Sequence, residues 1–382
     1  MPYVTAFMTR AKKQLTLEDV LFGVKNLSPY INGVDFGTST RTYEYKKLPQ
    51  ELKEMARVPY LIGKLKSFNR TYQPKFDANN MREHYNSFKI PKKSGGWRQI
   101  DAPDDELKQA LYSLKAIFEN DFKVLYHTAA FAYIKGRSTT DALKVHQRNN
   151  SNWYLKTDLS NFFGSTTLEF TMRMLSVIYP FCEVVKYEDG EKALRDAISL
   201  CFLDGGLPQG TPISPLLTNV IMIPIDHEIS RRLRASETND FVYTRYADDA
   251  TVSSKKGFLF MGVIEMMNDV FKKFDAPYTI KKEKTHYGSR AGRNWCLGLM
   301  INKDNQITVG HENKKVFKAM LNNYIVARKD GKGWPPEEVM TLRGKLSYYS
   351  NVEPEYFDYV ISWYNKKYHC DVIKMMADDV AA

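Results

Sequence analysis

Phe241-Val-Tyr-Thr-Arg-Tyr-Ala-Asp-Asp-Ala-Thr-Val-Ser253 contains two adjacent acids between two runs of strand-forming residues. Val242, Thr244 and Tyr246 alternate before the acids, and small or β-branched residues follow them. This pattern predicts a tight β-hairpin with the pair Asp248–Asp249 at its tip. An isolated pair of this kind is more often a solvated turn. Two like charges in a turn repel each other, however, and Mg²⁺ is commonly held by one or two carboxylates together with substrate phosphates.

A second strand-like run that ends in an acid makes the metal interpretation stronger. Trp153-Tyr-Leu-Lys-Thr-Asp158 has this form and is followed by Leu159-Ser-Asn-Phe-Phe163. If both strands deliver their carboxylates to one sheet edge, three aspartates form a cluster that can hold two metal ions. Two ions roughly 3.5–4 Å apart are the arrangement used for in-line displacement at phosphorus.

A loop rich in glycine and proline, Gly205–Asn219, lies between the two acidic strands. With this loop the sequence resembles reverse transcriptases, in particular the bacterial retron and group II intron branch. The elements that carry the resemblance follow the family's order: Asp158, Leu207-Pro-Gln-Gly210, Ser214-Pro215, Tyr246-Ala-Asp-Asp249, Lys284-Thr285 and Leu297-Gly298. The resemblance covers roughly residues 85–315.

The resemblance implies an α+β fold, the right-hand polymerase with fingers, a palm of antiparallel sheet plus helices, and a helical thumb. The expected ranges are 1–80 for an N-terminal extension and the start of the fingers, 81–150 for the fingers, 151–310 for the palm with a fingers insertion near 170–206, and 311–382 for the thumb. Residues 1–80 either grip template RNA or only pack against the rest of the chain.

Composition and charge agree with a nucleic-acid enzyme. The 382 residues contain 55 Lys and Arg against 44 Asp and Glu, a net charge of +11 that favours a polyanionic partner. The four cysteines are widely spaced, which argues against a zinc site or a disulfide framework. No apolar run is long enough to span a membrane, so a soluble, cytoplasmic protein is expected.

The resemblance also assigns catalytic and metal-binding roles. Asp158, Asp248 and Asp249 are expected to bind two Mg²⁺ ions, for which Mn²⁺ can substitute. The backbone carbonyl of Leu159 completes the coordination, because hard cations accept carbonyl oxygen. Lys284 is expected to donate a proton to the pyrophosphate leaving group. The basic run around Lys284 fits a solvated face equally well.

Further residues are expected to bind the incoming dNTP. The residues Asn86–Pro103 predict two short strands around a glycine turn, which on its own fits an ordinary exposed basic turn. The resemblance implies a fingers hairpin that places Lys93 and Arg98 on the triphosphate. Phe163 takes the position at which the family holds a bulky side chain under the sugar, which excludes a ribose 2′-hydroxyl. The preceding phenylalanine is assigned to the core. Gln209 is expected to touch the nascent base pair.

The region after Gln209 carries local signals for a loop followed by helices. Gly210 allows the backbone to lie close to a base pair or sugar. Ser214 is predicted to cap a helix with Pro215 at its first position, and Pro224 is predicted to kink that helix. From residue 311 onward, basic and then aromatic residues predict helices that lie along a nucleic-acid duplex.

Two positions depart from the retron pattern. Retron enzymes carry an Asn-Ala-x-x-His element, whereas this chain has Ala142 and Leu143 before His146. Cys296-Leu-Gly298 stands where retrons commonly have Val-Thr-Gly, within the stretch Trp295–Ile301 expected to form the primer-grip hairpin. His146 is the candidate RNA contact, against the alternative of a structural histidine.

The sequence therefore predicts an RNA-directed DNA polymerase, a nucleotidyltransferase that copies a noncoding RNA and holds the RNA–DNA hybrid. The first hypothesis is a retron enzyme that makes RNA-linked single-stranded DNA (msDNA) for anti-phage defence, with an effector protein encoded nearby. The alternatives are another defence-associated reverse transcriptase with a different template or priming mode and, more distantly, a non-catalytic RNA-binding protein. No RNase H, maturase or endonuclease domain is expected after the thumb, which disfavours group II intron mobility.

Overall fold

The chain folds into two compact units, each built from three separate segments. The computed structural model describes residues 50–76, 80–92, 95–236, 240–292 and 295–381, with the backbone alone for 50–56 and 295. The first unit contains the described residues up to 127 together with 160–228 and 269–279, and the second contains 128–159, 229–268 and those from 280 onward. This division differs from the predicted ranges, because 128–150 lies in the second unit and 160–228 in the first.

Helices and antiparallel strands together make up both units, which confirms the α+β prediction. The strands are β1 (Tyr85–Pro91), β2 (Trp97–Pro103), β3 (Trp153–Asp158), β4 (Val242–Tyr246), β5 (Asp249–Ser254), β6 (His286–Ser289), β7 (Trp295–Cys296), β8 (Leu299–Ile301) and β9 (Ile307–Thr308). The α-helices are α1 (Gln50–Tyr72), α2 (Asp105–Ala116), α3 (Thr139–Arg148), α4 (Leu168–Leu175), α5 (Phe181–Val184), α6 (Glu188–Ser199), α7 (Ser214–Ile221), α8 (Ile223–Arg234), α9 (Phe260–Lys273), α10 (His311–Lys329), α11 (Pro336–Val352), α12 (Pro354–Tyr368) and α13 (Val372–Ala381).

A four-stranded antiparallel sheet in the order β4-β5-β3-β6 forms the centre of the second unit. Successive side chains on each strand point to opposite faces of the sheet, and both faces are buried. On one face lie Leu155, Ala250 and Val252, each at most 2% exposed. On the other face, α3 packs across β4. Both predicted acidic strands therefore belong to one sheet, as the sequence indicated.

The end of the second unit is helical, as predicted for the thumb. A small antiparallel sheet in the order β7-β8-β9 precedes four helices, α10 to α13. Phe317, Tyr324 and Phe357 are fully buried in the core that these elements share. The Glu353 carboxylate accepts hydrogen bonds from the Thr308 hydroxyl at 2.8 Å and from the Val309 backbone N–H at 2.9 Å. These bonds connect the small sheet to the helices.

The first unit contains the predicted fingers hairpin, β1 paired with β2 in antiparallel register. Helix α1 packs against α6. Lys66 of α1 forms an ion pair with Asp189 at 2.6 Å, and the Asn69 amide donates to the Ala193 carbonyl at 2.8 Å. The part of the N-terminal region from residue 57 to 76 thus has a packing role, whereas residues 1–49 lie outside the described residues.

None of the helices formed by the described residues has the length and apolar character needed to cross a bilayer.

The helix after the glycine- and proline-rich loop starts at a slightly different place from the one predicted. Helix α7 begins at Ser214 with Ile213 in the capping position, so Ser214 is not the cap. The Thr211 hydroxyl instead accepts the Ser214 N–H at 3.2 Å and provides the capping contact. The predicted disturbance near Pro224 is confirmed, because α7 ends at Ile221 and α8 starts two residues later.

His146 occupies a fully buried position on α3. Its Nδ1 lies 2.6 Å from the Ser253 hydroxyl and its Nε2 lies 2.7 Å from the Thr244 hydroxyl. Burial lowers the pKa of the ring to about 3, so the imidazole is neutral at neutral pH. His146 was expected to contact RNA, but its side chain has no exposed atom with which to do so. The structure assigns this histidine to holding α3 on the sheet.

We predict that His146 makes the fold sensitive to mild acid. Its pKa is lowered from 6.5 to about 3 by folding, so below pH 6.5 the unfolded chain binds a proton that the folded chain does not. The free energy of unfolding should therefore fall with decreasing pH, approaching about 1.4 kcal/mol per pH unit. In urea denaturation at pH 7, 6 and 5, His146→Gln should lose this component, and the exposed His311→Gln should keep it. Equal pH dependence in wild type and His146→Gln would contradict the assignment.

Candidate active site

The two adjacent aspartates lie at the tip of the β4–β5 hairpin, as predicted. Tyr246 pairs with Asp249 across the ladder, which leaves Ala247 and Asp248 as a two-residue turn. Ala247 has a φ of 57°, a left-handed conformation that non-glycine residues adopt rarely. Strained backbone of this kind persists only where its surroundings hold it, and it is common at active sites. The turn that orients the carboxylates therefore needs support from neighbouring residues.

Arg245 supplies part of that support. It is 1% exposed, and its guanidinium donates a hydrogen bond to the carbonyl of Ala247 at 3.1 Å. Its backbone N–H donates to the Ala129 carbonyl at 2.7 Å, and its own carbonyl accepts from the Phe131 N–H at 2.9 Å. Arg245 was not among the residues predicted for the site. The sequence does carry a signal for it. Arg245 lies between Thr244 and Tyr246 on a predicted strand, so its charged side chain is expected on the opposite face of the sheet from theirs.

Asp158 is brought directly opposite Asp249. The two residues are cross-strand partners at the end of β3 and the start of β5. Just beyond β3, the N–H of Leu159 donates to the Asp248 carbonyl at 3.0 Å. Like charges directly opposite each other destabilise an antiparallel pair. The fold thus accepts an electrostatic cost in order to place three carboxylates at one edge of the sheet.

Two lysines neutralise one of these carboxylates. Lys281 Nζ lies 2.7 Å from Asp158 Oδ1, and Lys284 Nζ lies 2.7 Å from Oδ2. Burial alone would raise the pKa of Asp158, but the hydrogen bonds and charges of the lysines outweigh it and hold that pKa below its ordinary value. Hydrogen bonding to Asp158 raises the pKa of Lys284 in turn. Lys284 was predicted at this site.

Lys281 was missed, although its spacing from Lys284 carries a signal. The two residues are three apart, because Lys281 is the capping residue before the 3₁₀ turn Lys282–Lys284 and Lys284 ends it. Side chains at this spacing lie on the same side. The backbone N–H of Lys281 also donates to the Asp158 carbonyl at 2.9 Å. This lysine therefore holds both the backbone and the side chain of Asp158.

Asp248 and Asp249 keep a surplus of negative charge. Displacement of water by the protein, followed by the charge of Asp158, raises the pKa of Asp248. The same displacement, together with Asp248 and Asp158, raises the pKa of Asp249 to about 6, although Asp249 as a residue is exposed. Carboxylate oxygens are hard donors, so a divalent cation would fit this charge. Among the residues that the structure describes, no group of three or more His, Cys, Asp or Glu side chains is arranged as a metal cluster.

The structure brings Asp158, Leu159, Asp248, Asp249 and Lys284 together within the second unit. Three other predicted site residues, Arg98, Phe163 and Gln209, belong to the first unit, and Lys93 lies outside the described residues.

Phe163 and Gln209 lie on two loops of the first unit that are joined by hydrogen bonds. The Phe163 carbonyl accepts from the Leu207 N–H at 3.1 Å. The Phe163 side chain is 8% exposed and lies next to Phe162, which was assigned to the core and is 2% exposed. Gly206 packs against Gly164 so closely that a Cβ on Gly206 would lie 2.2 Å from the Gly164 carbonyl oxygen. These contacts fix the position of Phe163 relative to the Gln209 loop.

The Gln209 loop is also attached to the hairpin that carries Arg98. The Gln209 carbonyl accepts from the Asp101 N–H of β2 at 2.7 Å. Gly210 has a φ of 126°, and a Cβ there would lie 2.8 Å from the Asp101 carbonyl oxygen. The close approach that was predicted for a base pair or sugar is thus made in this structure by β2. Arg98 itself is exposed on β2, opposite Ile90.

Comparison with known proteins agrees with this geometry. A family model described as reverse transcriptase (RNA-dependent DNA polymerase) matches residues 90–316. The Retron Ec83 reverse transcriptase of Escherichia coli is 28% identical over 313 residues, covering 79% of this chain and 93% of the relative. The Retron Ec73 reverse transcriptase of Escherichia coli is 28% identical over 297 residues, covering 74% and 86%.

Among solved structures, a telomerase from Candida albicans aligns with a TM-score of 0.45 and 13% identity. The alignment covers 85% of this chain and 60% of the telomerase chain, so this chain spans about three fifths of its length.

We predict that Arg245 stabilises the hairpin through the Ala247 carbonyl. Arg245→Lys keeps a positive charge but loses the planar guanidinium geometry, so a buried carbonyl loses its donor. Such a loss typically costs about 1–3 kcal/mol of the free energy of unfolding. Urea denaturation should show this loss, whereas the exposed Arg234→Lys on α8 should change stability by less than about 0.5 kcal/mol. Equal effects of the two substitutions would show that Arg245 does not support the turn.

Proposed function

Because the chain belongs to the reverse transcriptase family of RNA-dependent DNA polymerases, which act with divalent metal ions, we propose that it copies a noncoding RNA into DNA from dNTPs. The observation that carries the proposal is the pairing of Asp158 with Asp249 on adjacent strands, with Asp248 in the adjoining turn. In the proposed reaction the 3′-hydroxyl of the growing strand attacks the α-phosphate of a dNTP and releases pyrophosphate.

The three aspartates, with the carbonyl of Leu159, are the proposed ligands of two Mg²⁺ ions, for which Mn²⁺ can substitute. Bound divalent ions supply charge stabilisation for the attacking and leaving oxygens. Burial, together with the charges of the neighbouring carboxylates, raises the pKa of Asp248 and of Asp249, and a bound cation would offset both effects, which supports this assignment. Two further residues of the site are proposed to act without binding metal: Lys284 donates a proton, and Lys281 orients Asp158.

Lys284 is the proposed general acid. The lysine ammonium is protonated at neutral pH, so Lys284 Nζ can give a proton to a pyrophosphate oxygen as that group leaves. Its bond to Asp158 places it beside the reacting centre. Lys281, on the other oxygen of the same carboxylate, is a positioning residue that keeps Asp158 oriented.

The first unit provides the proposed dNTP contacts. Arg98 of β2, together with Lys93, would bind the triphosphate, since a guanidinium makes two-pronged phosphate contacts and an ammonium acts as a point charge. Phe163 would exclude a ribose 2′-hydroxyl, and Gln209 would contact the nascent pair. The hydrogen bonds from Phe163 through the 207–209 loop to β2 support a common role for these residues.

The retron form of this function is the one we favour. The two relatives are named as retron reverse transcriptases, and we propose that this chain likewise makes RNA-linked single-stranded DNA for anti-phage defence, together with an effector protein. The departures at Ala142-Leu143 and Cys296-Leu-Gly298 favour the second candidate, a defence-associated reverse transcriptase with another RNA or priming mode. The presence of Asp158, Asp248 and Asp249 together at one edge of the sheet argues against a non-catalytic RNA-binding protein.

The proposed contact between Phe163 and the sugar predicts which substitutions change the preference for dNTP over rNTP. Phe163→Ala should remove the obstacle to a 2′-hydroxyl and raise the efficiency of rNTP over dNTP incorporation by at least tenfold in single-nucleotide extension. Phe163→Tyr keeps the ring and should retain the wild-type preference. An unchanged rNTP-to-dNTP ratio in Phe163→Ala, with the fold confirmed by circular dichroism, would remove Phe163 from the nucleotide site.

The proposed reaction is tested by Asp248→Asn. On an RNA template with a DNA primer, this change should lower extension by at least a thousandfold, because it removes a charged oxygen ligand while conserving side-chain size. Asp240→Asn is the matched control, since Asp240 is exposed two residues before β4 and its carboxylate forms an ion pair with Lys255 at 3.0 Å. Full extension by Asp248→Asn would contradict the proposal.

The same variant separates the two biological candidates when the protein is purified from cells that carry its native locus. A short branched RNA–DNA hybrid that is absent from the Asp248→Asn protein would support the retron form. Long, repetitive or untemplated DNA would favour the other defence class. Bound RNA without DNA in both proteins would contradict the polymerase proposal under those conditions.

A further inference from the structure

A buried tyrosine of the first unit packs against the turn that carries Phe163. Tyr278 follows α9 in the chain and is 4% exposed. Its ring centroid lies 5.0 Å from that of Phe162. The carbonyl of the next residue, Thr279, accepts a hydrogen bond from the Ser160 N–H at 2.8 Å. Tyr278 therefore lies alongside the segment that leads into Phe163, and all of these residues belong to the same unit.

Two buried hydroxyl groups connect Tyr278 to the backbone of Phe162. The Tyr278 hydroxyl lies 3.0 Å from the Thr166 hydroxyl, and Thr166 Oγ1 donates to the Phe162 carbonyl at 2.8 Å. A threonine hydroxyl has a single proton, so Thr166 accepts the hydrogen bond that joins it to Tyr278. Both bonds therefore run in one direction, from the phenol through Thr166 to the carbonyl. Thr166 is fully buried, where the loss of a hydrogen-bond partner destabilises a polar group.

Thr166 also closes the turn that presents Phe163. Its backbone N–H donates to the Phe163 carbonyl at 3.1 Å, while its side chain holds the Phe162 carbonyl. The turn has little spare room, because Asn161 has a φ of 46° and a Cβ on Gly164 would lie 2.6 Å from the Asn161 side-chain oxygen. A displacement of Thr166 would therefore carry both phenylalanine carbonyls with it.

We propose that Tyr278 is a positioning residue for sugar selection: through Thr166, its hydroxyl fixes the Phe163 ring where the ring rejects a ribose 2′-hydroxyl. The inference rests on the proposed function, in which Phe163 excludes that hydroxyl. A misplacement of about 1 Å caused by a distant substitution can change an enzymatic rate about a hundredfold. Without the phenol hydroxyl, the turn would relax and the ring would give way to a ribonucleotide, although the ring itself is still present.

The test is single-nucleotide extension by Tyr278→Phe, which removes the hydroxyl and keeps the ring in its aromatic surroundings. The efficiency of rNTP relative to dNTP incorporation should rise by about three- to tenfold. The values of kcat and KM for dNTP should stay close to those of the wild type, because a dNTP has no 2′-hydroxyl to exclude. Thr166→Val, which replaces the hydroxyl with a methyl group, should have the same effect. Thr166→Ser keeps a hydroxyl and should retain the wild-type ratio.

A double variant shows whether the hydroxyl acts through the ring. Phe163→Ala has no ring to position, so the addition of Tyr278→Phe should leave its rNTP-to-dNTP ratio unchanged. Tyr72→Phe is the matched control, because it removes a tyrosine hydroxyl that lies 3.1 Å from the Ser113 hydroxyl in the same unit. This control should keep the wild-type selectivity. Thermal melting checks that each variant is folded.

Three outcomes of these assays would overturn the proposal. The first is a wild-type rNTP-to-dNTP ratio in folded Tyr278→Phe. The second is an equal loss of efficiency with both nucleotides, which would show that the tyrosine has a structural role without influence on selection. The third is the same increase in the ratio when Phe163→Ala is already present, which would show that Tyr278 does not act through the ring.

Hydrogen exchange without substrate tests the hydroxyl chain separately from the activity. The backbone N–H of Thr166, which donates to the Phe163 carbonyl, should exchange faster in Tyr278→Phe than in wild type or Tyr72→Phe. Unchanged exchange would overturn the positioning role, whatever the activity. Faster exchange in the variant, together with a wild type that extends no primer, would support the positioning of Phe163 by Tyr278 while contradicting the proposed polymerase activity.

Discussion

Repulsion among three carboxylates is the constraint on which the rest of the site depends. Asp158 and Asp249 face each other across adjacent strands, and Asp248 lies in the turn beside them. The raised pKa values of Asp248 and Asp249 reflect this crowding together with loss of water. Lys281 and Lys284 offset the charge of one carboxylate. The other two remain available for a cation.

The surrounding fold keeps this unfavourable arrangement in place. Arg245 bonds to the strained turn at Ala247, and Leu159 bonds to the carbonyl of Asp248. On the opposite face of β4, His146 fastens α3 through two hydroxyl groups. Hydrophobic burial of the sheet and hydrogen bonds of its buried polar groups thus supply the stability that the carboxylates reduce. Without these hydrogen bonds, either the hairpin turn would change its conformation or the carboxylates would become protonated.

Much of this could be predicted from sequence because the signals are local. The alternation before Asp248, the strand that ends at Asp158 and the helical run after residue 311 each specify an element within a few residues. What could not be predicted depends on contacts distant in the chain. The burial of His146 requires two hydroxyl partners about a hundred residues away, and the need for glycine at position 210 arises from strand β2. Helix α7 begins one residue earlier than predicted, because the Thr211 hydroxyl, and not that of Ser214, makes the capping hydrogen bond.

A titration of the protein with Mn²⁺ tests the central claim most directly. Isothermal titration calorimetry would compare wild type with Asp249→Asn in the absence of nucleic acid. The account predicts wild-type binding at pH 7.5 that weakens as the pH falls below about 6, where Asp249 takes up a proton. It also predicts at least tenfold weaker binding by Asp249→Asn. Equal affinities for the two proteins, with no dependence on pH between 7.5 and 5, would contradict it.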